Sequence, residues 1–148
     1  MAKYLHIRIV TPEKVIISDK YISATVPSTT GELTILPGHI PLVALIKSGG
    51  IILKTETGAD TCLAVSSGIL EVRPDFSMVI LANSAERAED IELERAEKAK
   101  ERIEQLIKEK KDNADMDYAM LQSTLSKEMA RIKIARRHSK NKNLYSPK

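Results

Sequence analysis

The first half of the chain alternates between apolar and polar residues, which is typical of β-strands with one buried face. Leu5, Ile7 and Ile9 alternate with polar neighbours, and residues 21–26 repeat the same period of two. Further apolar segments follow at intervals of about 8 to 12 residues, separated by turns that contain Gly, Pro or Asp. No helix-length segment separates them, which disfavours a parallel α/β sheet. The pattern therefore predicts an antiparallel β-sandwich or barrel.

One of these strands lacks polar positions. Residues Leu42 to Ile46 are all apolar, and the turn 47–50 follows directly. An uninterrupted apolar run is expected for a strand that is buried on both sides or that ends in a core. We therefore expect this strand either to be buried on both sides or to end in a core.

After Ser84 the period changes from two to about 3.6, which indicates helices. Residues 86–111 contain neither Gly nor Pro, and their apolar positions step by three and four. The same steps recur from Tyr118 to Ile132, after a short polar break at 112–115 that suits a helix cap. Two helices with a short connection predict an antiparallel hairpin.

These patterns divide the chain into three segments. Residues 1–84 form the predicted sandwich, residues 85–138 form the hairpin, and residues 139–148 form a polar tail that is predicted to be disordered. A two-helix hairpin buries little surface by itself. We therefore expect it to lie against its own sandwich or against a partner, and to be able to exchange between the two.

Composition and charge narrow the function classes. Aromatic residues make up 3% of the chain, which disfavours a stacking platform for single-stranded nucleic acid. No apolar run approaches the ~18 residues of a membrane helix, and no signal or transit peptide is recognisable. From Lys127 onwards the chain has eight basic residues and one acid, a net charge of +7, and the remainder carries −4. The basic segment is expected to meet an acidic protein surface rather than nucleic acid, because no aromatic residue interrupts it between Arg131 and Arg137.

The sequence contains no enzyme signature. The glycine motifs that bind phosphates or dinucleotides are absent, as are H-E-x-x-H and a cysteine cluster. His6 falls on the polar side of a strand and is expected to be solvated, whereas the single Cys62 is expected to be a small buried hydrophobe. We therefore expect a protein that is not an enzyme and requires no metal or cofactor. A metal-dependent enzyme would need a cluster of His and acidic ligands.

Three stretches carry a resemblance to a known family. They are GELTILPGHIPLVALIKSGGI from Gly31, LAVSSGILEV from Leu63 and VILANSAERAEDIELERAEKAKERIE from Val79. Together they closely resemble the epsilon subunit of rotary F-type ATP synthases, over residues 3 to 136. The resemblance implies an N-terminal β-sandwich, a C-terminal helical hairpin and a non-catalytic role on the central stalk. The alternative is a stand-alone β-sandwich binding module with a helical interaction hairpin.

The resemblance also implies partners and regulation. In the family, the subunit binds the gamma subunit and the c ring, and couples proton transport to ATP synthesis in the catalytic alpha and beta subunits. Its hairpin inhibits ATP hydrolysis when extended and permits turnover when folded against the sandwich. The implied location is peripheral to the energy-transducing membrane, reached only through the complex. It is the cytoplasmic side in a bacterium, or the stromal side if the chain is plastid-encoded.

The first implied site is a turn flanked by prolines. In the family, the loop that matches Glu32, Gly38 and His39 faces the polar loops of the c ring. Glu32 would supply a hydrogen-bond acceptor, and the rigid turn would hold the His39 ring outward. The alternative is that the segment is only a turn and that His39 is solvated.

The second implied site is a regulatory ATP site on the folded hairpin. Some bacterial members bind ATP through a motif of the form I-D-x-x-R-A. Here Glu92 replaces the Asp, and Lys127 stands where the family site has an Arg; both departures weaken the match. The alternative is that the arginines of the set pair with nearby acids. The matching residues are Ile91, Glu92, Arg95, Ala96, Arg102, Lys127 and Arg131.

The third implied site is basic. In the family, basic residues of the extended hairpin meet an acidic segment of the beta subunit, and the candidates here are Arg131, Lys133, Arg136 and Arg137. The last three share a helix face, whereas Arg131 does not share that of Lys133, because a step of two separates them.

Overall fold

The computed structural model of the protein describes residues 3–109 and 116–145. A β domain is followed by a short 3₁₀ helix, Ala88–Asp90, and by two helices, α1 (Leu93–Glu109) and α2 (Met116–Tyr145). The strands of the β domain are β1 (Leu5–Val10), β2 (Val15–Tyr21), β3 (Ser23–Ser28), β4 (Gly31–Ile35), β5 (Leu42–Ile46), β6 (Gly49–Lys54), β7 (Asp60–Val65), β8 (Gly68–Val72), β9 (Ser77–Ala82) and β10 (Ala85–Arg87).

The strands follow the spatial order β10-β7-β6-β3-β5-β8-β9-β1-β2. Strand β4 lies off this path and pairs with residues 24–28 of β3. Pairing is antiparallel except between β1 and β9, which run parallel. The strands enclose an apolar core to which Leu5, Ile7, Leu53, Leu70 and Ile80 contribute fully buried side chains. The predicted β-sandwich followed by a helical hairpin is confirmed.

The apolar strand β5 is not buried on both sides. Its burial alternates: Ile46 is 2% exposed, whereas Val43 is 71% and Leu45 is 57% exposed. The strand does end in the core, at Ile46. Of the two alternatives, the strand that ends in a core is therefore the one observed, and burial on both sides is not, because the outer side chains Val43 and Leu45 are exposed.

The hairpin lies against one side of the sandwich through α2. Ile134 and Ala135 of α2 pack with Cys62 and Ala64 of β7. The helices are antiparallel, because Arg136 near the end of α2 donates a 2.6 Å hydrogen bond to Glu97 near the start of α1. The structure therefore shows the folded position of the hairpin.

The ends of the helical region differ from the sequence prediction. Residues 85–87 form strand β10 on β7, and α1 begins only at Leu93. At the other end, α2 continues through residues 139–145, which were predicted to be disordered. Their Lys and Asn residues are tolerated in helices, and no Gly or Pro interrupts the chain before Pro147. The predicted break at 112–115 and residues 146–148 lie outside the described residues.

Candidate functional site

The turn before β5 is built by Pro37 and Gly38. The amide of His39 donates to the carbonyl of Leu36 at 3.1 Å, and Gly38 has a φ of +84°. Proline at the second position and a positive φ at the third are the features of a type II turn. A side chain at Gly38 would meet no neighbouring atom, so the glycine serves the backbone conformation alone.

The His39 ring is held by this turn. Its Nδ1 lies 2.6 Å from the carbonyl oxygen of Ile40. Because a carbonyl only accepts, Nδ1 donates this hydrogen bond, and in the neutral ring Nε2 is then an acceptor. Glu32 of β4 is exposed on the neighbouring edge strand, and Ile40 is 75% exposed. The turn therefore places a half-buried His39 beside the exposed Glu32 and the exposed apolar side chain of Ile40.

An apolar row crosses the outer face of the sheet beside this turn. Leu45 of β5 lies opposite Ile69 of β8, which lies opposite Leu81 of β9. Their exposed fractions are 57%, 45% and 55%. We call these three residues the apolar row. Contiguous exposed apolar surface is typical of a protein-binding site. The sequence offered a signal in the all-apolar strand β5, which was interpreted as a strand buried on both sides or ending in a core.

A basic hollow adjoins the apolar row. It has a volume of about 620 Å³ and lies over β1, β2 and β9. Arg8 lies opposite Val79 of β9, so the hollow and the apolar row occupy the same face. These polar positions follow from the alternation along the strands, but the sequence alone did not bring them together. The basic residues that line the hollow are His6, Arg8, Lys20 and Arg73.

The interface between hairpin and sandwich combines small side chains with isoleucines. Cys62 and Ala64 face Ala135, with Ile134 and Ile91 beside them. Cys62 is 4% exposed, which confirms the prediction of a small buried residue. Burial raises the pKa of its thiol, an effect that the positive charge of Arg137 partly offsets.

Arg131 joins α2 to the sandwich. Its Nε donates to Oε2 of Glu86 in β10 at 2.8 Å, and its Nη2 donates to Oε1 of the same carboxylate at 3.3 Å. Its Nη1 donates to Oε2 of Glu128, one turn earlier in α2, at 2.9 Å. The hydrogen bonds to Glu86 raise the pKa of Arg131 above its ordinary value. The guanidinium is thus shared by two carboxylates, as the alternative to ATP binding supposed.

The residues of the implied ATP site fall into separate places. Ile91 is buried against the sandwich, and Ala96 is fully buried. Arg95 points to solvent and lies 4.0 Å from Glu92. Arg102 is exposed on α1. The motif, which begins two residues before α1, is therefore divided between buried apolar residues and an exposed ion pair.

Lys127 and Arg131 come together at a cavity of about 380 Å³ between α2 and the sandwich. Lys14 adds a third cation, while Glu13 and Glu86 contribute two carboxylates. The cavity lining includes none of the α1 residues of the motif. A phosphate entering here would have to compete with carboxylates for the guanidinium of Arg131.

The remaining basic candidates lie on different sides of α2. Lys133 is exposed, and Arg136 is bound to Glu97 of α1. Arg137 lies close enough to Cys62 to influence its thiol. In the folded position, Arg136 is therefore already paired within the hairpin.

The described residues contain neither a metal-ligand cluster nor a membrane-spanning helix. No group of three or more His, Cys, Asp or Glu side chains there is placed to hold a metal ion. None of the helices in the described ranges combines the length and apolar character needed to cross a membrane.

The fold and its surfaces define a β-sandwich that carries a docked helical hairpin and presents an exposed apolar row on its outer face. Comparison with known proteins assigns the family. Residues 4–88 match the β-sandwich domain of the ATP synthase delta/epsilon chain, and residues 89–136 match its long α-helix domain. The chain belongs to the ATP synthase delta/epsilon chain family, as the resemblance implied.

Individual relatives agree with this assignment. The ATP synthase epsilon chain of Desulforamulus reducens is 42% identical over 135 residues, which cover 91% of this chain and 99% of the relative. That of Nitratidesulfovibrio vulgaris (strain Hildenborough) is 39% identical over 134 residues, which cover 90% and 97%.

Solved structures share the fold at lower identity. A chain of the Euglena gracilis mitochondrial ATP synthase, determined with OSCP, F1 and c-ring, superimposes with a TM-score of 0.73 at 20% identity, over 92% of this chain and 82% of that one. A chain of the central stalk and c-ring of the Tetrahymena thermophila enzyme gives 0.58 at 11%, over 90% and 95%.

Proposed function

We propose that this protein is the non-catalytic epsilon subunit of an F-type ATP synthase, which couples rotation of the c ring to ATP synthesis in the catalytic alpha and beta subunits. The observation that carries the proposal is the exposed apolar row. It lies on a chain that matches both domains of the family, over residues 4–88 and 89–136. Such a surface on a stable sandwich calls for a protein partner. That partner is the gamma subunit of the central stalk.

The c ring contacts the turn at Gly38 and His39 and the neighbouring Glu32. The free Nε2 of His39 and the carboxylate of Glu32 are acceptors, which suit basic or amide groups on the loops of the ring. Through these contacts the subunit lies at the periphery of the energy-transducing membrane, on the cytoplasmic side in a bacterium, and meets the membrane only through the complex.

The hairpin regulates ATP hydrolysis. Its folded position rests on a small apolar interface, which an extended position on the stalk can replace. In the extended state, Arg131, Lys133, Arg136 and Arg137 meet an acidic segment of the beta subunit. Extension would break the hydrogen bonds between Arg131 and Glu86 of the sandwich, so the folded and extended positions compete for this guanidinium.

Regulatory ATP is a ligand that the fold does not require. Lys127 and Arg131 at their shared cavity support an anion there. The engagement of Arg131 by Glu86 and the exposure of Arg95 favour weak binding. Isothermal titration of the full chain with MgATP tests this point, and Arg131→Gln should abolish whatever heat of binding is seen.

The test of the main proposal is ATP hydrolysis by a catalytic head that contains its gamma subunit. The full chain and a version ending at Ala88 are added, and binding of each is measured separately. We expect both to bind and only the full chain to inhibit. If neither binds, the stand-alone binding module becomes the better description. If both bind and neither inhibits, the protein is a coupling subunit whose hairpin does not regulate.

A further inference from the structure

We propose that Glu86, Arg131 and Glu128 form a latch that holds the hairpin in its folded position through the protein's own carboxylates. The inference rests on the proposed exchange of the hairpin between two positions. Glu86 belongs to β10 of the sandwich, whereas Arg131 and Glu128 belong to α2. Separation of the hairpin from the sandwich therefore breaks the two hydrogen bonds between Arg131 and Glu86.

The geometry of the latch is specific. Arg131 presents Nε and Nη2 to both oxygens of one carboxylate, which is the two-point arrangement that a planar guanidinium favours. Glu128 binds the remaining Nη1 and fixes the direction of the side chain within α2. Glu128 thus acts as a positioning residue, and Glu86 is the group that is released.

Burial separates the latch from the other ion pairs of the hairpin. The side chains of Arg131 and Glu128 are 20% and 11% exposed, and that of Glu86 is 34% exposed. Water therefore screens these charges less than it screens exposed pairs, which contribute little. The pair between Arg136 and Glu97, by contrast, has exposed fractions of 60% and 41%.

The latch matters for docking because the apolar contact beneath α2 is limited. The facing residues of the sandwich are Cys62 and Ala64 of β7 and the half-buried Ile52 of β6, so a limited apolar area holds the helix in place. A partly buried, charge-assisted pair at the edge of such a contact then contributes substantially to the stability of the folded position of the hairpin.

Cys62 supplies a native reporter of hairpin release. It is the single cysteine of the chain, and the folded hairpin leaves 4% of it exposed. Alkylation requires access to the thiol, and a thiolate forms more readily once burial is relieved. The rate at which a small maleimide labels Cys62 therefore follows the fraction of molecules with a lifted hairpin.

The experiment compares labelling rates of the full chain, followed by intact mass. Glu86→Gln keeps the shape of the side chain and removes its charge. We expect labelling to accelerate about tenfold, since the variant leaves the partly buried Arg131 without its partner on the sandwich. Glu128→Gln should accelerate labelling less. The matched control is Glu97→Gln, which removes a charge from the pair inside the hairpin and should change the rate less than twofold.

Hydrogen exchange separates hairpin release from general destabilisation. In Glu86→Gln, the amides of β1 and β9 should keep their protection, while the interface around Cys62 and Ile134 should lose it. Equal labelling of the wild type and Glu86→Gln would overturn the latch. Loss of protection in β1 and β9 to the same degree would overturn it too, because the pair would then stabilise the whole fold.

The outcome is independent of the regulatory role. Labelling is measured on the isolated protein, whereas inhibition is measured on the catalytic head. If Glu86→Gln labels faster and also inhibits hydrolysis more at equal binding, both the latch and the inhibitory hairpin are supported. If it labels faster and inhibition does not change, the latch stands and the proposed role of the hairpin is overturned.

Discussion

Ile134 of α2 lies directly on Gly50 of β6, where it fills the space that a side chain would need. A Cβ added at Gly50 would collide with Cδ1 of Ile134 and lie 2.7 Å from its Cγ1. The backbone of Gly50 is not in the left-handed region, so any side chain there is opposed by Ile134 and not by φ. The close approach of helix and sheet therefore depends on this glycine.

We predict that Gly50→Ala weakens docking of the hairpin and leaves the sandwich intact. The new methyl group must displace Ile134, at a cost of about 1 kcal/mol or more, which overpacking typically involves. Labelling of Cys62 should accelerate by about fivefold or more, since about 1.4 kcal/mol corresponds to a factor of ten in the opening equilibrium. Thermal unfolding of the β domain should change little.

A second substitution provides the control for this prediction. Ile134→Ala removes the colliding atoms and leaves room for the methyl group that Gly50→Ala introduces. The double variant should therefore label more slowly than the sum of the single effects predicts. Additive effects would mean that the two residues do not oppose each other in solution.

The sequence predicted the fold well because its local patterns are strong. The alternation around Leu5, Ile7 and Ile9 corresponds to core residues of β1, and His6 between them is exposed, as expected. Strand β10 was missed because Glu and Arg favour helices in isolation, whereas pairing with β7 decides their conformation here. The strand β2 was not recognised as a separate element.

The candidate surfaces were harder to predict for physical reasons. A strand such as β5 has the same composition whether its outer face meets a core or a partner, so the sequence left burial on both sides open for a strand whose Val43 and Leu45 are exposed. On α2, the apolar positions that the spacing of three and four predicted to be buried include Met129, which is 51% exposed. They do not include Ile134, which is buried. Which face of a helix is buried depends on the sheet beneath it, and that is not local information.

The apolar row predicts the effect of a polar substitution on partner binding. Leu45→Ser should weaken binding to the gamma subunit about tenfold or more, because central apolar side chains dominate interface energies. The thermal stability of the isolated protein should hardly change, since Leu45 is already 57% exposed. Titration calorimetry against the gamma subunit, alone or in the catalytic head, measures the affinity.

The matched control for Leu45→Ser is Met120→Ser. Met120 is 74% exposed but lies on α2, away from the outer face of the sheet. It should bind the gamma subunit like the wild type. Equal binding by Leu45→Ser would show that the apolar row does not face that partner.

Substitution of Gly38 should lower stability, and this effect can be measured separately from any effect on coupling. Gly38 and Gly58 both have a φ of +84°, and neither has a neighbour within 4 Å of an added Cβ. Alanine at either position should lower the free energy of unfolding by about 1 kcal/mol, through backbone strain alone. Urea denaturation of the two variants tests this equality.

The two glycines should differ in the assembled enzyme. Gly38→Ala alters the turn that presents His39, so it should lower proton-driven ATP synthesis in membranes that contain the complete complex. Gly58→Ala lies in the turn between β6 and β7 and should not. Equal losses of synthesis would assign the effect to stability and remove the turn from the proposed contact with the c ring.

Phe76 carries a left-handed backbone that its side chain does not favour. Its φ is +64°, and its amide donates to the carbonyl of Arg73 at 3.0 Å in the tight turn between β8 and β9. Asn adopts this conformation more readily than Phe does. Because Phe76 is 44% exposed, little packing is lost on its removal. We predict that Phe76→Asn raises the free energy of unfolding by about 0.5 to 1 kcal/mol, measured by urea denaturation.

The comparison variant for this turn is Phe76→Ala. It removes the same ring but has no polar group that favours the left-handed conformation, so it should not be more stable than the wild type. A stabilised Phe76→Ala would show that the exposed ring itself is unfavourable. A destabilised Phe76→Asn would show that contacts of the half-exposed ring outweigh the backbone strain, and the turn would then owe its shape to packing of Phe76 and not to the hydrogen bond with Arg73.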